Sequence, residues 1–345
     1  MLFKIKVIIF FTFLFFSGNN SISAEESLDT LVQANCLGCH SNPDLKAPSL
    51  QSMSWATKQE LMYVMNEGKM KAQSSHLSDQ QKEGIADYIS NSIDDNQINK
   101  CTFSLENKGI LERNHWAGWG LNHTNSRNQT SSVINSNNVN KLKFKWAFNI
   151  QGYESRSPPV ILGNLLIIGT NRGFVYALDR ETGCSHWSYR AEGKLRSSPF
   201  INLEDLAVYI VDEGLVVHSI NAVDGKLNWK SPVQREEFNF STGSPVLMNS
   251  KLIIPISTIE TAVAVLPFHE CCKSSGAVMA MDAKNGKVIW YHRVLKEPKL
   301  VGKRFITRVK KFAPAGAAVW GTPAIDDSGT RVFFGTAQST QSPAS

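Results

Sequence analysis

The strongest constraint on this chain is a repeat. The segments "GFVYALDRETGCSHW", "GLVVHSINAVDGKLNW" and "GAVMAMDAKNGKVIW" each run through glycine, an alternating strand, Asp or Asn, a turn closed by glycine, and a strand ending in tryptophan. Trp146, Trp187, Trp229 and Trp290 follow one another at intervals of 41, 42 and 61 residues. A period near 42 with strand character marks a β-propeller, whose four-stranded blades take about 40 to 50 residues each. The longest interval is one blade carrying an insertion of roughly twenty residues, with "TIETAVAVLPFHECC" inside it.

Each blade opens on a similar phrase: "SRSPPVI", "LRSSPFI", "STGSPVL" and "VWGTPAI". Aligned on Pro159, Pro199, Pro245 and Pro323, the position three residues earlier reads Arg156, Arg196, Thr242 and Trp320. The innermost strand of a blade lines the central channel, so these side chains are expected to ring one mouth of it. Blade strands are antiparallel, so the loop between the second and third strands opens on the same face. That loop in the third blade carries Glu270, Cys271 and Cys272. The arginines could equally form a solvated rim, and Trp320 could serve packing between blades. Adjacent cysteines can bond to each other only in a strained eight-membered ring, so Cys271 and Cys272 are either two idle thiols or a device.

The chain begins differently. Lys4 and Lys6 precede an apolar run from Val7 to Phe16, then a polar stretch and a small residue at Ala24. This is the layout of a secretory signal peptide over 1–24. As a membrane anchor the run is only about half the ~20 residues a spanning helix needs, and no second candidate span follows. The expected product is exported and soluble, in a compartment that permits disulfides. The net charge of +6 is mild, and no Lys/Arg block interleaved with aromatics points to nucleic acid.

After the leader, "NCLGCHSN" sets Cys36, Cys39 and His40 in the spacing C-x-x-C-H. Two thiols one helical turn apart can add to the vinyl groups of a haem while the adjacent imidazole takes the iron. A zinc knuckle would need a second ligand pair, and a thioredoxin-like site a βαβ setting; neither is present. For the sixth iron ligand Met53, Met62, Met65 and Met70 compete. Met70 is chosen because it sits in a Gly-x-Met turn before a helix capped at Ser78 or Asp79, with an apolar stripe of Ile85, Ala86, Tyr88 and Ile89. Met62 and Met65 suit core packing, and His76 suits the surface. The expected organisation is a small all-α cytochrome c domain over 25–92, a linker and approach to the propeller over 93–143, and an all-β propeller over 144–345. Three blades and the opening of a fourth make about three and a half of the seven or eight a closed ring takes, so the chain reads as a fragment.

"HWAGWGLNHTNSRNQ", "NSNNVNKLKFKWAF", the "ALDRETG" turns and "GAAVWGTPAIDDSGTRVFFGT" together resemble the dehydrogenases that use pyrroloquinoline quinone (PQQ), in particular the quinohaemoprotein alcohol dehydrogenases with an amino-terminal cytochrome c. The resemblance covers nearly all of the mature chain. It implies that Trp320 forms the floor under the PQQ ring, that Arg156 and Arg196 pair with its carboxylates, and that Cys271 and Cys272 close a disulfide against its face. It also implies a calcium ion, with Glu270 and Gln338 at the positions of family ligands; Gln338 stands where the family more often has asparagine. The family's general base falls about one blade beyond Gln338, so no catalytic residue is assigned. The cofactors implied are haem c, PQQ and calcium. The partners are an alcohol, conceivably a secondary one, and a downstream electron acceptor such as a soluble cytochrome or oxidase, in the periplasm. Two other classes stay open: an electron-transfer cytochrome with a degenerate propeller, and a propeller scaffold, for which a redox group has no use. Cys101 and Cys184 remain, and a bond between them would tie the cytochrome's exit to the first blade, on the face opposite the mouth.

Overall fold

A computed structural model describes residues 27–91 apart from Trp55, 99–105, 115–150, and 155–340 apart from Gln234. The signal peptide read over 1–24 and parts of the linker read over 93–143 lie outside the described residues. Among the described residues no helix is long and apolar enough to cross a membrane.

The first domain is helical. Its helices are α1 (Leu28–Val32), α2 (Gly38–His40), α3 (Leu50–Met53), α4 (Lys58–Asn66) and α5 (Asp79–Asn91), with a π-helical turn over Gln33–Leu37 leading into α2. α4 starts on a capping box: Glu60 N donates to Thr57 Oγ1, and Thr57 N donates to the Glu60 carboxylate. α5 starts on a second box in which Ser78 and Gln81 exchange the same pair of bonds. Leu31, Val32, Leu61, Ile85, Ala86 and Ile89 are buried together. Of the stripe expected on α5, Tyr88 alone stays half-buried, its hydroxyl donating to Asp29 at 2.8 Å.

Three four-stranded antiparallel blades follow. The first is β1 (Val160–Leu162), β2 (Leu165–Gly169), β3 (Phe174–Asp179) and β4 (Ser185–Arg190); the second is β5 (Phe200–Asn202), β6 (Ala207–Val211), β7 (Val216–Asn221) and β8 (Leu227–Pro232). After a short β9 (Asn239–Phe240), the third is β10 (Val246–Met248), β11 (Lys251–Thr258), β12 (Ala277–Asp282) and β13 (Val288–Arg293). The β11–β12 loop holds the one-turn helix α6 (Glu260–Val263) and the cysteine pair. A hairpin of β14 (Lys299–Lys303) and β15 (Lys310–Ala313) comes next. β16 (Ala315–Gly316) pairs with β19 (Ser339–Thr340), and between them β17 (Ala324–Ile325) pairs with β18 (Val332–Phe333) to open a fourth blade. The apolar cores lie between blades: Val160, Ile167 and Val175 pack with Ile201, Val208 and Ile210, and Tyr209 and Val217 pack with Ile254 and Met279.

The structure gives each letter of the repeat a cause. The Asp or Asn ending the third strand accepts backbone N–H groups of the turn: Glu181 and Thr182 at Asp179, Val223 and Asp224 at Asn221, Lys284 and Asn285 at Asp282. Each tryptophan of a fourth strand lies opposite a small residue, Trp187 on Ala177, Trp229 on Ser219 and Trp290 on Ala280, beside a bulge at the same place in each blade. The indole then docks on the next blade. Trp146, Trp187 and Trp229 donate from Nε1 to the carbonyls of Arg180, Ala222 and Ala283. The turn glycines Gly183, Gly225 and Gly286 have φ of 76°, 73° and 70°, and a Cβ on any of them would lie 2.6–2.8 Å from that indole. Glycine is thus required twice over, by backbone and by contact.

The stretch 115–125, read from sequence as approach to the propeller, runs along the innermost strands. Trp116 pairs with Ile161 of β1, Ala117 O accepts from Ile201 N of β5, and His123 O accepts from Ile325 N of β17. It touches blades one, two and four, so this part of the propeller entry lies on the blades themselves.

Candidate functional site

In the helical domain, Cys36 and Cys39 are unbonded thiols. Cys36 is half-buried, and burial pushes its thiol pKa up. His40 is 9% exposed, and its Nδ1 lies 2.7 Å from Pro48 O. A carbonyl can only accept, so Nδ1 carries the proton and Nε2 is left as the lone-pair donor, the tautomer a metal ligand needs. His40, Cys36 and Met70 line one apolar cavity with Leu61, Val64 and Ile85. Met53 and Met65 share that lining, whereas Met62 packs into the helical core. His76 is exposed and bonds Asn35 at 2.8 Å. The turn before Met70 is tight: a Cβ on Gly68 would lie 2.7 Å from Val64 Cα, and Ser74 Oγ donates to the carbonyls of Met65 and Met70. An imidazole and thioethers facing one dry cavity with a thiol at its edge form a donor set that fits covalent haem.

At the propeller mouth the opening strands are joined blade to blade through the residue before each aligned proline. Ser198 Oγ donates to Pro158 O, Ser198 N donates to Ser244 Oγ at 2.7 Å, and Ser244 N donates to Thr322 Oγ1 at 3.1 Å. This ladder places Arg156, Arg196, Thr242 and Trp320 on successive opening strands. Thr242 Oγ1 lies 3.4 Å from Trp320 O, and Trp320 is 58% exposed. Arg156 is exposed, and Arg196 pairs with Glu213 at 3.3 Å. An exposed tryptophan ahead of the fourth blade and arginines ahead of the first and second are residue types that suit a planar carboxylated quinone.

Cys271 and Cys272 are bonded to each other, and Cys101 is bonded to Cys184. The vicinal pair is buried, exchanges two backbone hydrogen bonds with Phe312 of β15 and packs on Ala315. Gln338 is exposed, and its backbone carbonyl accepts from Ala317 N. Glu270 is held by Lys273 at 2.9 Å and Lys310 at 3.6 Å. The hydrogen bond from Lys273, with Lys310 adding charge, keeps its carboxyl below the usual value. Among the described residues there is no group of three or more His, Cys, Asp or Glu that could hold a metal ion. With Glu270 paired to two lysines and Gln338 exposed, the two residues as they stand do not form a calcium cage.

Sequence reasoning passed over the carboxylates that organise this loop. Glu260 on α6 is 2% exposed and accepts from Lys273 N at 2.7 Å, Ser274 N at 2.6 Å, Ser274 Oγ at 2.7 Å and His269 Nε2 at 3.2 Å. Glu236 takes the next amide, Ser275 N, and pairs with Arg293 at 2.7 Å. Both carboxylates border a cavity of about 770 Å³ with His269, Glu270, Lys273 and Tyr291. Burial, and then the Glu236 charge, push the Tyr291 hydroxyl up to about 12. The signal available in the sequence was Glu260 placed directly before the apolar run TAVAVLPF.

Comparison with known proteins fits this architecture. Residues 130–341 match the PQQ_2 family model, described as outer membrane protein assembly factor BamB, and residues 23–89 match a model described as cytochrome c oxidase, cbb3-type, subunit III. The chain belongs to the PQQ-repeat family, with a cytochrome c domain in front of the repeats. Along 90% of its length it is similar to the polyvinylalcohol dehydrogenases of Sphingopyxis sp. 113P3 (28% identical) and a Pseudomonas species (30% identical). It spans 51% and 52% of those relatives, about half their length. The quinohaemoprotein alcohol dehydrogenase ADHIIG of Pseudomonas putida HK5 shares the fold with a TM-score of 0.54 at 17% identity, over 69% of this chain and 37% of that one.

Proposed function

We propose that this chain is part of an exported, periplasmic quinohaemoprotein that oxidises an alcohol, with polyvinyl-alcohol-like secondary alcohols as the first class to try. The observation that carries the proposal is the joining, in one chain, 90% of which aligns with polyvinylalcohol dehydrogenases, of a cytochrome c domain and PQQ-type blades. When bound, the quinone supplies a two-electron acceptor for the alcohol and the covalent haem a one-electron relay. Cys36 and Cys39 would hold the haem, His40 Nε2 and Met70 would serve as its iron ligands, and the Nδ1 bond to Pro48 fixes the imidazole. Trp320 would offer its ring as the quinone's floor, Arg156 and Arg196 would orient the carboxylates, and Cys271 and Cys272 would lie against its face. Calcium at Glu270 and Gln338 would require Glu270 to leave its two lysines, and no step is routed through it. The haem, when bound, would pass electrons to an acceptor such as a soluble cytochrome or oxidase.

The test uses protein exported from a host that matures c-type cytochromes. Alcohol added anaerobically should reduce the haem only after PQQ is supplied, followed as the change in haem absorbance. A haem-loaded protein that stays oxidised with PQQ and a panel of primary and secondary alcohols, with and without calcium, overturns the proposal. That result would favour an electron-transfer cytochrome with a degenerate propeller; a protein that takes up no haem would instead favour a binding scaffold, which the family description of an outer membrane assembly factor supports.

A further inference from the structure

Two cavities in this molecule share a wall. The haem-side cavity is bounded by Leu61, Val64 and Met65 of α4. A second cavity, of about 590 Å³, lies between α4 and the second blade; Glu60, Tyr63 and Val64 line one side, and Lys194, Glu213 and Gly214 the other. Val64 belongs to both. The propeller side consists of the loop before β5 and the β6–β7 loop, which open on the mouth face. The helical domain is fixed there by its own contacts. Lys194 Nζ lies 2.8 Å from Glu60 Oε1, and Arg190 Nη2 donates to Ala56 O at 2.9 Å. Gln59 fills the space a side chain at Gly214 would take, 2.8 Å from the Cβ position.

The contact is directed at the candidate cofactor site. Glu213, in the cavity wall, is the partner of Arg196. The α4 layer, about 10 Å across, and the second cavity together separate the haem-side cavity from Glu213, the partner of Arg196. The Cys101–Cys184 bond fastens the linker to the opposite face and cannot supply this placement. Lys194 and Glu60 are each more than a third exposed, so the pair steers and registers the domain more than it stabilises it.

We propose that this seam, α4 seated on the Lys194 and Glu213–Gly214 loops of the second blade, is the face through which the haem exchanges electrons with the propeller mouth. It rests on the function proposed above: the quinone would take two electrons and two protons from the alcohol, and ferric haem would accept the electrons one at a time, each passing to the external acceptor before the next arrives. Glu60 and Lys194 are positioning residues.

The test uses the full-length, haem-loaded, PQQ-supplied protein and has two readouts. A zero-length carbodiimide crosslink should join Lys194 to Glu60 in the mapped peptides, and its yield should fall about threefold or more between low and high sodium chloride. Lys194→Glu should slow alcohol-driven haem reduction about threefold to tenfold, with the haem spectrum and unfolding temperature unchanged. Glu60→Gln keeps the capping-box geometry and should slow it less. Absence of the crosslink overturns the proposal, and so does a Lys194→Glu protein that reduces its haem at the wild-type rate. If no alcohol reduces the wild-type haem, the function proposed above fails on its own, and the crosslink with its salt dependence decides the docking.

Discussion

Cys36, Cys39 and His40 lie in one short helical segment, Cys39 exposed, and the cavity that Cys36 and His40 line is closed by α4, α5 and the Met70 turn of the same small domain. Arg156, Arg196 and Trp320 come from three different blades, and their placement depends on every strand between them. The haem side is therefore a local construction and the mouth a collective one. Damage to the first should be complete but confined, whereas damage to the second should be graded and should travel through the blades.

The sharpest break is at the local site. Replacing both Cys36 and Cys39 by serine should abolish covalent haem, read as loss of haem staining on denaturing gels. The blades should keep their unfolding transition, because none of their core residues touches the haem-side cavity. If the blades unfold as well, the two regions are not independent.

Next in size is Glu260, the collective site's buried anchor. Glu260→Ala leaves Lys273 N, Ser274 N and Ser274 Oγ without their acceptor in a buried loop, a loss of about 3 kcal/mol, measured by denaturant unfolding. Glu260→Gln keeps an acceptor oxygen and should lose clearly less. An equal loss in both variants would mean that charge, not acceptor geometry, holds the loop.

At the mouth itself, Arg196→Ala should weaken PQQ binding about tenfold, or 1.4 kcal/mol, by quenching titration of the protein's tryptophan fluorescence. Arg196→Lys should recover only part of this, since an ammonium cannot offer the guanidinium fork. Full recovery with lysine would show that the contact is charge alone.

Why one region was legible in the sequence and the other only partly so follows from the same contrast. The C-x-x-C-H spacing and the helix caps at Thr57 and Ser78 are short-range chemistry, readable from neighbouring residues. The blades were legible because the docking is periodic: the Asp or Asn of the turn, its glycine and the tryptophan each have a cause that recurs in every blade. Glu260, Glu236 and the Glu60–Lys194 contact do not recur. Each joins residues far apart in the chain, within an insertion or between domains, where no period carries the signal. The stretch 115–125 was read as a connector for the same reason, its partners being spread over three blades.

The smallest effect concerns Glu270. Its carboxyl lies below the usual value near 4.5 because Lys273 hydrogen-bonds it and Lys310 adds to the field. A depressed folded-state pKa means that the charged form is favoured by folding. The contribution is fully present above the unfolded value and is lost as pH falls through the folded one. Glu270→Gln should therefore lower stability slightly at pH 7 and make no difference well below pH 4, where the wild-type carboxyl is also neutral. Because the group faces solvent, salt should shrink the pH 7 difference. Unfolding midpoints of the two proteins at both pH values, with and without added salt, give the comparison. A difference that persists at low pH would assign Glu270 a role in the shape of the cysteine loop. A difference at pH 7 that disappears on adding calcium would instead mean that the metal can displace the lysines and that the loop is able to form the ion site for which its present pairing is unsuited.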